Sequence, residues 1–425
     1  MGIITENGVH LTVKSTKKFK TIKMYVDLIA PVAVDEISLR VLLAQLLETS
    51  SEKYPTQIDL AEQLSWMYGA SFGASVFRYG TQQGIRFTFN LVSGKYLGLN
   101  QAEQQQLMAD VFDFLKEVIF KPLIDDSGFD GSTFDRQKAN IIDYLNSMLD
   151  DKQQLAGQSL RKLYYENDEA YALGVLGDAD HMAPISRTDL FAYYKKALDR
   201  DQVFITVLGD VAEEEIAPFV TKLPFKKRSV IAIDPFHHRE ITENREETLA
   251  QPVSQSKLNL AFSFPIYRHG DQYFEALVFN ELLGASPISL LFLNVREKES
   301  LAYYASSQYS PFTGTLTVES GIEAKNMGHV RELILQQIDA IKTGDFSDEL
   351  FDKVISKMLT DREVAYDNQR ALMNSLVVKS VIGEGISDEE WVERIKQVTK
   401  ENVMAVAAKA QLQAQFFLKG TEDAD

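Results

Sequence analysis

The feature that most constrains the fold of this chain is an order of elements that occurs twice along its 425 residues. Each half begins with an apolar strand, at 22–32 and again at 257–266. An amphipathic helix follows each strand, at 36–50 and at 272–286, with apolar residues at helical spacing. After a pair of strands, each half continues with long helices, predicted at 101–121, 131–150, 325–342 and 347–365. Because such a repeat describes two copies of one folding unit, the sequence predicts two homologous domains.

The end of each repeat is marked by a capped helix and a final strand, at 186–210 and at 399–421. Ser186 and Thr399 stand where an N-cap is expected, because their hydroxyl groups can accept hydrogen bonds from the first amides of a helix. Helices with one apolar face, placed between strands, favour a layer of helices on a sheet. We therefore predict the α+β class, with two tandem domains that each consist of an antiparallel sheet with helices packed on one face.

The stretch between the two repeats is charged and interrupted by prolines, which is typical of a linker. We predict an N-terminal domain over 1–223, a linker with an entering strand over 224–255, and a C-terminal domain over 256–425. A chain of 425 residues also exceeds the size at which a single hydrophobic core is usual, which agrees with this division.

The composition excludes several classes of function. The chain has no cysteine, so disulfides, thiolate metal sites and cysteine nucleophiles are excluded. Its 61 acidic and 44 basic side chains give a net charge of −17, which disfavours binding to nucleic acid. The sequence contains neither a signal peptide at residues 1–20 nor an apolar run of about 18 residues, the length of a membrane helix. We therefore expect a cytoplasmic protein without nucleic-acid or membrane partners.

Two segments of the sequence carry a family resemblance. The more specific segment is LFLNVREKESLAYYASSQ at 291–308, and the second is EKYPTQIDLAEQLSWMYGASFGASV at 52–76. Together with the order of elements, they resemble the M16 family of zinc metallopeptidases, which includes insulysin, pitrilysin and the mitochondrial processing peptidase. The resemblance covers nearly the whole chain and implies two homologous halves that face each other as a clamshell.

Active members of that family carry an H-x-x-E-H motif, in which two histidines bind zinc and the glutamate activates a water molecule. The matching window in this chain has Gln45 and Thr49 in place of the histidines and keeps Glu48. The family's later glutamate ligand matches Tyr144, or Asp143 if the alignment shifts by one residue. The resemblance therefore implies a degenerate zinc motif.

The histidines lead to the same expectation without an alignment. The chain has six of them, and none is spaced at i+3 or i+4 from another, as two ligands on one helix would be. His237 and His238 are neighbours in the charged linker, where adjacent side chains diverge. A zinc site made only of carboxylates, from Glu48, Asp59 or Glu62, is the remaining alternative. We expect no metal or other cofactor in this chain and no peptide hydrolysis by it alone, with zinc held only by a partner subunit.

The second half keeps two residues that the resemblance makes functional. Arg296 and Tyr303 match the arginine and tyrosine with which active members contact the substrate and the developing oxyanion, a role that suits a guanidinium and a phenol. The alternative is that Arg296 pairs with Glu297 or Glu299 and that Tyr303 is an ordinary strand aromatic.

The strand at 71–77 is a further candidate for binding. In the family, the matching strand lies at a sheet edge and a substrate peptide pairs with it. Gly73, Ala74 and Ser75 are small enough to let another backbone approach. The alternative is an ordinary strand whose small residues lie on a packed face.

One functional prediction and two alternatives follow from the resemblance. A chain that lacks H-x-x-E-H but keeps the arginine and tyrosine matches the non-catalytic subunit of two-chain members. We predict a pseudoenzyme that pairs with an H-x-x-E-H-bearing paralogue and contributes contacts to an unfolded peptide substrate and its transition state. Among bacterial members it resembles an inactive type associated with modification of elongation factor P. The alternatives are a structural or peptide-holding homodimer and a hydrolase with a rebuilt metal site.

Overall fold

The computed structural model describes residues 2–240, 243–268, 270–383 and 385–421. The strands are β1 (Ile3–Ile4), β2 (His10–Ser15), β3 (Thr21–Pro31), β4 (Ser71–Tyr79), β5 (Gln82–Val92), β6 (Ile124–Asp125), β7 (Gly128–Phe129), β8 (Gln202–Gly209), β9 (Arg245–Gln251), β10 (Ser256–Ser263), β11 (Ala302–Ser310), β12 (Thr315–Ile322) and β13 (Gln411–Gly420). The α-helices are α1 (Val34–Thr49), α2 (Gln57–Trp66), α3 (Gln101–Phe120), α4 (Gly131–Ser147), α5 (Lys152–Tyr164), α6 (Glu169–Ala172), α7 (Ala179–Met182), α8 (Arg187–Arg200), α9 (Glu213–Val220), α10 (Tyr273–Asn280), α11 (Met327–Thr343), α12 (Asp348–Ala365), α13 (Gln369–Ile382), α14 (Asp388–Lys396) and α15 (Lys400–Ala407). Within the described ranges, none of the helices combines the length and the apolar character needed to cross a membrane.

The chain divides into two compact units. Unit 1 consists of Met1–Asn146, Val175–Pro235 and Ala365–Gly385, and unit 2 of Ser147–Gly174, Phe236–Val364 and Ile386–Asp425. Each unit contains a helix from the other half of the sequence, since α13 belongs to unit 1 and α5 belongs to unit 2. The limits of the units therefore differ from the boundaries predicted near residues 223 and 256. Those boundaries mark the ends of the two sequence repeats, and the homology of the two repeats stays a prediction.

The sheet of unit 1 has the strand order β1-β2-β8-β3-β5-β4. β8 pairs with β2 in parallel, and the other pairs in this sheet are antiparallel. α1 and α3 cover one face, where Phe89 of β5 lies against Phe114 of α3. α13 covers the opposite face, where its Met373 and Val377 pack on Tyr25 of β3 and on β8.

The sheet of unit 2 has the strand order β11-β12-β10-β13-β9. β9 pairs with β13 in parallel, and the other pairs are antiparallel. Leu258 and Leu260 of β10 face a core that they share with α10, α11 and α15. Ala261 lies on the opposite face, together with side chains of β13, and packs with Ala156 and Leu160 of α5.

The predicted α+β class with two sheets is confirmed, whereas two details of that prediction are wrong. The sheets are mixed, because β2 and β9, which precede the repeated strands, pair in parallel with the closing strands β8 and β13. Helices cover both faces of each sheet, because β8 and β10 are buried along their whole length and therefore need cover on both sides. The predicted N-caps are confirmed, since Ser186 and Thr399 accept hydrogen bonds from the amides of Asp189 and Asn402.

Candidate functional site

The window that matches the family's zinc motif lies in the last turns of α1. α1 begins with Asp35 and Glu36, whose negative charges favour the N-terminus of a helix. Glu36 also forms ion pairs at 2.7 Å with Lys196 and Arg200 of α8. α1 packs on β4 and β5 as well. These contacts fix the helix, and hence the window, relative to the edge of the unit 1 sheet.

The three window residues have different environments. Thr49 is 2% exposed, and its Oγ1 donates a hydrogen bond of 2.6 Å to the carbonyl oxygen of Gln45. The hydroxyl group is therefore bonded within α1. Glu48 is half-buried, and its carboxylate accepts a hydrogen bond from the Ala74 N–H of β4. Burial raises the pKa of Glu48, and the hydrogen bond from Ala74 opposes that rise. Glu48 therefore contacts the edge strand.

β4 is the edge strand of the unit 1 sheet and pairs with β5 on its inner side. Among the described residues no strand pairs with the outer side of β4, and the backbone amide of Ala74 interacts with Glu48. A Cβ on Gly73 would lie 3.6 Å from Glu48 Oε1, an ordinary van der Waals contact, so the carboxylate lies beside this residue without requiring a glycine there. Ser75 is exposed, while Gly73 and Ala74 are half-buried. The strand is positioned for pairing with a peptide, and that role stays a prediction.

Between α1, the start of α2 and α4 lies an open pocket of about 340 Å³, which we call the α1–α4 pocket. The side chains that line it are Gln45, Gln57, Arg136, Gln137, Asn140, Ile141 and Tyr144. The structure therefore brings together Gln45 and Tyr144, two of the positions that match metal ligands in the family. Thr49 and the alternative Asp143 are not part of its lining.

The residues at this pocket do not fit a zinc ion. Zinc in proteins is held by histidine, cysteine or carboxylate groups, whereas the lining offers carboxamides, a guanidinium and a phenol. In the part of the chain that the structure describes, no three histidine, cysteine or carboxylate side chains converge as a metal ion would require. The carboxylate alternative is also poorly supported, because Asp59 accepts hydrogen bonds from Thr56 in the capping box of α2.

The histidines take part in other local contacts. His237 Nε2 lies 3.1 Å from the Asp168 carboxylate in unit 2, and its ring stacks on Tyr171. In unit 1, His181 Nδ1 lies 2.7 Å from the Asp178 carboxylate within one short helix. His269 lies outside the described residues.

Arg296 lies in unit 2, in a π-helical segment over Leu291–Lys298. Its side chain is 44% exposed, its Nε lies 3.6 Å from Glu297 Oε1, and its guanidinium lies over the Phe292 ring. The predicted alternative pairing with Glu297 is therefore present, but exposed pairs of this kind contribute little to stability. The guanidinium remains accessible to a ligand.

Tyr303 lies in β11, the edge strand of the unit 2 sheet, and is 57% exposed. The register passes from Ala302 with Ile322 to Tyr304 with Gly321, so Tyr303 is the extra residue of a β-bulge. Bulges redirect side chains and are frequent beside active sites. Tyr303 and the adjacent Tyr304 therefore have different environments.

Tyr304 is half-buried in unit 2. Its hydroxyl donates to the Gln153 Oε1 of α5, and Lys257 lies over its ring. Burial raises the pKa of this phenol. The side chain of Tyr304 therefore packs within unit 2, and Tyr303, the extra residue of the bulge, is the more exposed of the two phenols.

Five side chains of the α1–α4 pocket were not identified from the sequence, and three of them are polar residues of α4. Arg136, Gln137 and Asn140 share one face of α4 with Tyr144, because residues three and four apart on a helix are neighbours. The spacing of these residues was the available signal. This spacing indicates a shared helix face, but it identifies a pocket only once α1 is known to be the helix opposite.

Comparison with known proteins identifies the family of this chain. The family model described as "Peptidase M16 inactive domain" matches residues 184–358. The chain is 32% identical over 421 residues to the "Probable inactive metalloprotease YmfF" of Bacillus subtilis (strain 168), which covers 98% of this chain and 97% of that protein.

Solved structures show the same fold over the full length. A conserved protein from Enterococcus faecalis V583 has a TM-score of 0.93 with 37% identity, covering 100% of this chain and 99% of that chain. A peptidase M16 inactive domain from Pseudomonas fluorescens has a TM-score of 0.82 with 16% identity over the same shares of the two chains. The second likeness concerns the fold alone.

Proposed function

This chain belongs to the M16 peptidase family as an inactive homologue, and from that premise we propose that it is the non-catalytic subunit of a two-chain zinc peptidase. In this proposal an H-x-x-E-H-bearing paralogue holds the zinc. The present chain contributes a peptide-binding edge and contacts to the transition state. The observation that carries the proposal is the free side of β4, where small residues lie beside the half-buried carboxylate of Glu48.

The edge of β4 supports the binding of an extended peptide. An unpaired strand edge offers backbone amides and carbonyls to a second strand, which pairs with it through main-chain hydrogen bonds. Gly73 and Ala74 present little side-chain bulk at this edge. Such binding depends weakly on sequence, which suits an unfolded peptide substrate.

The contribution of unit 2 rests on Arg296 and Tyr303. Both side chains are exposed, and Tyr303 is turned outward by the β-bulge. A guanidinium can hold a substrate carbonyl or carboxylate, and a phenol can donate a hydrogen bond to an oxyanion. In this proposal the two donors act on a substrate bound at the zinc of the partner.

The test is a mixing experiment with the zinc-loaded paralogue and an unstructured fluorogenic peptide. We expect the mixture to cleave the peptide faster than the paralogue alone. Because loss of one oxyanion donor typically costs about 100-fold in rate, Tyr303→Phe in the mixture is expected to lose at least about 10-fold. Arg296→Ala is expected to lower the rate as well.

Matched controls separate these effects from misfolding. Lys298→Ala removes an exposed charge from the same π-helical segment, and it should leave the rate of the mixture unchanged. A mixture that is no faster than the paralogue alone would refute the subunit proposal. A fast mixture in which Arg296→Ala and Tyr303→Phe have no effect would refute the assignment of these two residues.

Two narrower points belong to the same proposal. Because the chain resembles the bacterial inactive type, the proposal extends to a role in the modification of elongation factor P. The intact mass of elongation factor P from a strain that lacks this protein would test that role. A structural or peptide-holding homodimer is the second candidate, favoured by the same free edge of β4. Sedimentation of the chain alone and with the paralogue distinguishes a homodimer from a mixed pair.

A further inference from the structure

The α1–α4 pocket has an unusual composition for this protein. The full chain carries a net charge of −17, yet none of the described side chains that line the pocket is acidic. The lining instead presents the carboxamides of Gln45, Gln57, Gln137 and Asn140 together with the guanidinium of Arg136. Locally, the pocket is therefore positive and rich in groups that both donate and accept hydrogen bonds.

Gln137 provides the strongest sign that the pocket holds a ligand. It is 5% exposed and lines the pocket, and its carboxamide makes no hydrogen bond to another described residue. The polar atoms of that carboxamide are therefore free to form hydrogen bonds with a molecule in the pocket. A ligand in the pocket would supply the missing partner.

Arg136 determines the charge of that ligand. Its side chain is exposed at the pocket and forms no ion pair with another described residue. Asp130 interacts with it electrostatically, and that carboxylate also accepts hydrogen bonds from Ser132 and Thr133 at the start of α4. Asp135 and Asp143 of the same helix are exposed and do not line the pocket. The guanidinium is thus available to an anion.

The geometry points to a binding site for the carboxylate of a peptide in the α1–α4 pocket. A guanidinium binds a carboxylate through two parallel N–H···O bonds, and the surrounding carboxamides can satisfy its remaining lone pairs and the adjoining peptide amide. The carboxylate comes either from the C-terminus of a peptide or from an aspartate or glutamate side chain. This inference deepens the proposed function by naming a substrate group, and it rests on that function for the peptide itself.

The position of the pocket agrees with peptide binding at β4. Gln45 lies one helical turn before Glu48 on α1, and Glu48 contacts the Ala74 amide of the edge strand. A peptide paired with the free side of β4 therefore passes close to Gln45. Its carboxylate would reach Arg136 and Gln137, on the α4 side of the pocket.

The experiment measures binding of fluorescent peptides to the full chain alone by anisotropy. The probe is a short unstructured peptide without acidic side chains, used as the free acid, as the C-terminal amide, and as the amide with one internal glutamate. We expect the free acid or the glutamate peptide to bind about 10-fold more tightly than the plain amide, as one charge-assisted contact would give. Which of the two gains affinity identifies the source of the carboxylate.

Three variants test the site. Arg136→Gln should abolish the preference for a carboxylate, and Gln137→Glu, which keeps the shape of the side chain but adds a negative charge, should reverse it. Lys116→Gln removes an exposed positive charge from α3 of the same unit and should leave the preference unchanged. Circular dichroism of each variant verifies folding.

The outcomes separate this inference from the proposed function. Equal affinity for all three peptides, or a preference that survives Arg136→Gln, would overturn the carboxylate site while leaving peptide binding at β4 intact. If no peptide binds, the carboxylate site and the peptide-binding part of the proposed function both fail. If the chain does not speed peptide cleavage by the paralogue but still prefers a carboxylate peptide, only the subunit proposal is overturned.

Discussion

The ion pair between Asp27 of β3 and Arg86 of β5 offers the sharpest test of how unit 1 is held together. Arg86 Nε and Nη2 donate to the two carboxylate oxygens of Asp27, each at 2.8 Å. Asp27 is fully buried, and Arg86 lies over the Tyr25 and Phe77 rings. Arg86 also reaches Asn374 of α13 at 3.4 Å. The pair therefore lies beneath the helix that comes from the other half of the sequence.

The expected magnitudes follow from burial. Arg86→Met leaves the Asp27 carboxylate in the interior without a counter-ion, and breaking a buried pair in this way costs about 3–5 kcal/mol of the free energy of unfolding. Asp27→Leu leaves the guanidinium unpaired and should cost a similar amount. The double variant removes both charges and fills the volume, so we expect it within about 1 kcal/mol of the wild type. Asn374→Ala breaks a long contact and should cost less than about 1 kcal/mol.

The assay is a double-mutant cycle on urea denaturation, followed by far-UV circular dichroism. Hydrogen exchange of the β3 and β5 peptides assigns the lost stability to unit 1. If the double variant is as unstable as the single variants, the cost arises from lost packing rather than from an unpaired buried charge. If the single variants lose less than about 1 kcal/mol, water screens the pair and the reasoning from burial is refuted.

Three further predictions concern the same unit and the degenerate motif. Gly84→Ala should destabilise by about 1–3 kcal/mol in urea denaturation, because a Cβ there would meet the Phe77 ring at 2.3 Å and displace it from Arg86. Gly328→Ala, where a Cβ meets nothing within 4 Å, is the control. Because the folded-state pKa of Glu48 is raised, wild-type stability should fall relative to Glu48→Gln as pH rises from about 4 through that raised pKa. A pH-independent difference would contradict this. The zinc-saturated and dialysed chain should retain no stoichiometric zinc by metal analysis, and tight zinc binding would revive the carboxylate alternative.

Much of the fold follows from local signals in the sequence. The N-caps Ser186 and Thr399 could be predicted because a capping side chain acts within its own first turn. The exchange of α5 and α13 between units could not, because amphipathic spacing shows that a helix has an apolar face but not which sheet covers it. The largely apolar strand β8 carried a signal that both sheet faces are covered, whereas β10, which contains Lys257 and Asn259, did not. The parallel pairing of β2 and β9 could not be predicted either, because the residues of a strand do not specify which strand lies beside it.

The candidate site shows the same contrast between features that local sequence predicts and features that depend on the tertiary fold. Gln45 and Tyr144 are far apart in sequence and meet in the α1–α4 pocket, and only the family resemblance could relate them before the structure was known. Arg136 and Gln137 have no counterpart in the zinc motif, so neither resemblance nor periodicity singled them out. The pocket lining identifies Gln137, because its carboxamide lines the pocket and makes no hydrogen bond to another described residue.

The composition of the α1–α4 pocket distinguishes a pocket that has lost a function from one that still binds something. A pocket without a ligand would gain stability if apolar side chains filled it, since each buried polar group without a partner costs about 1–3 kcal/mol. Ile141 is buried at this pocket, so apolar packing is compatible with the site, yet Gln137 beside it is equally buried and polar. Water in the open pocket can hydrate that amide, and a bound group can take the place of the water by accepting or donating a hydrogen bond there. A carboxylate peptide at saturating concentration should therefore stabilise the wild type more than it stabilises the Gln137→Leu variant.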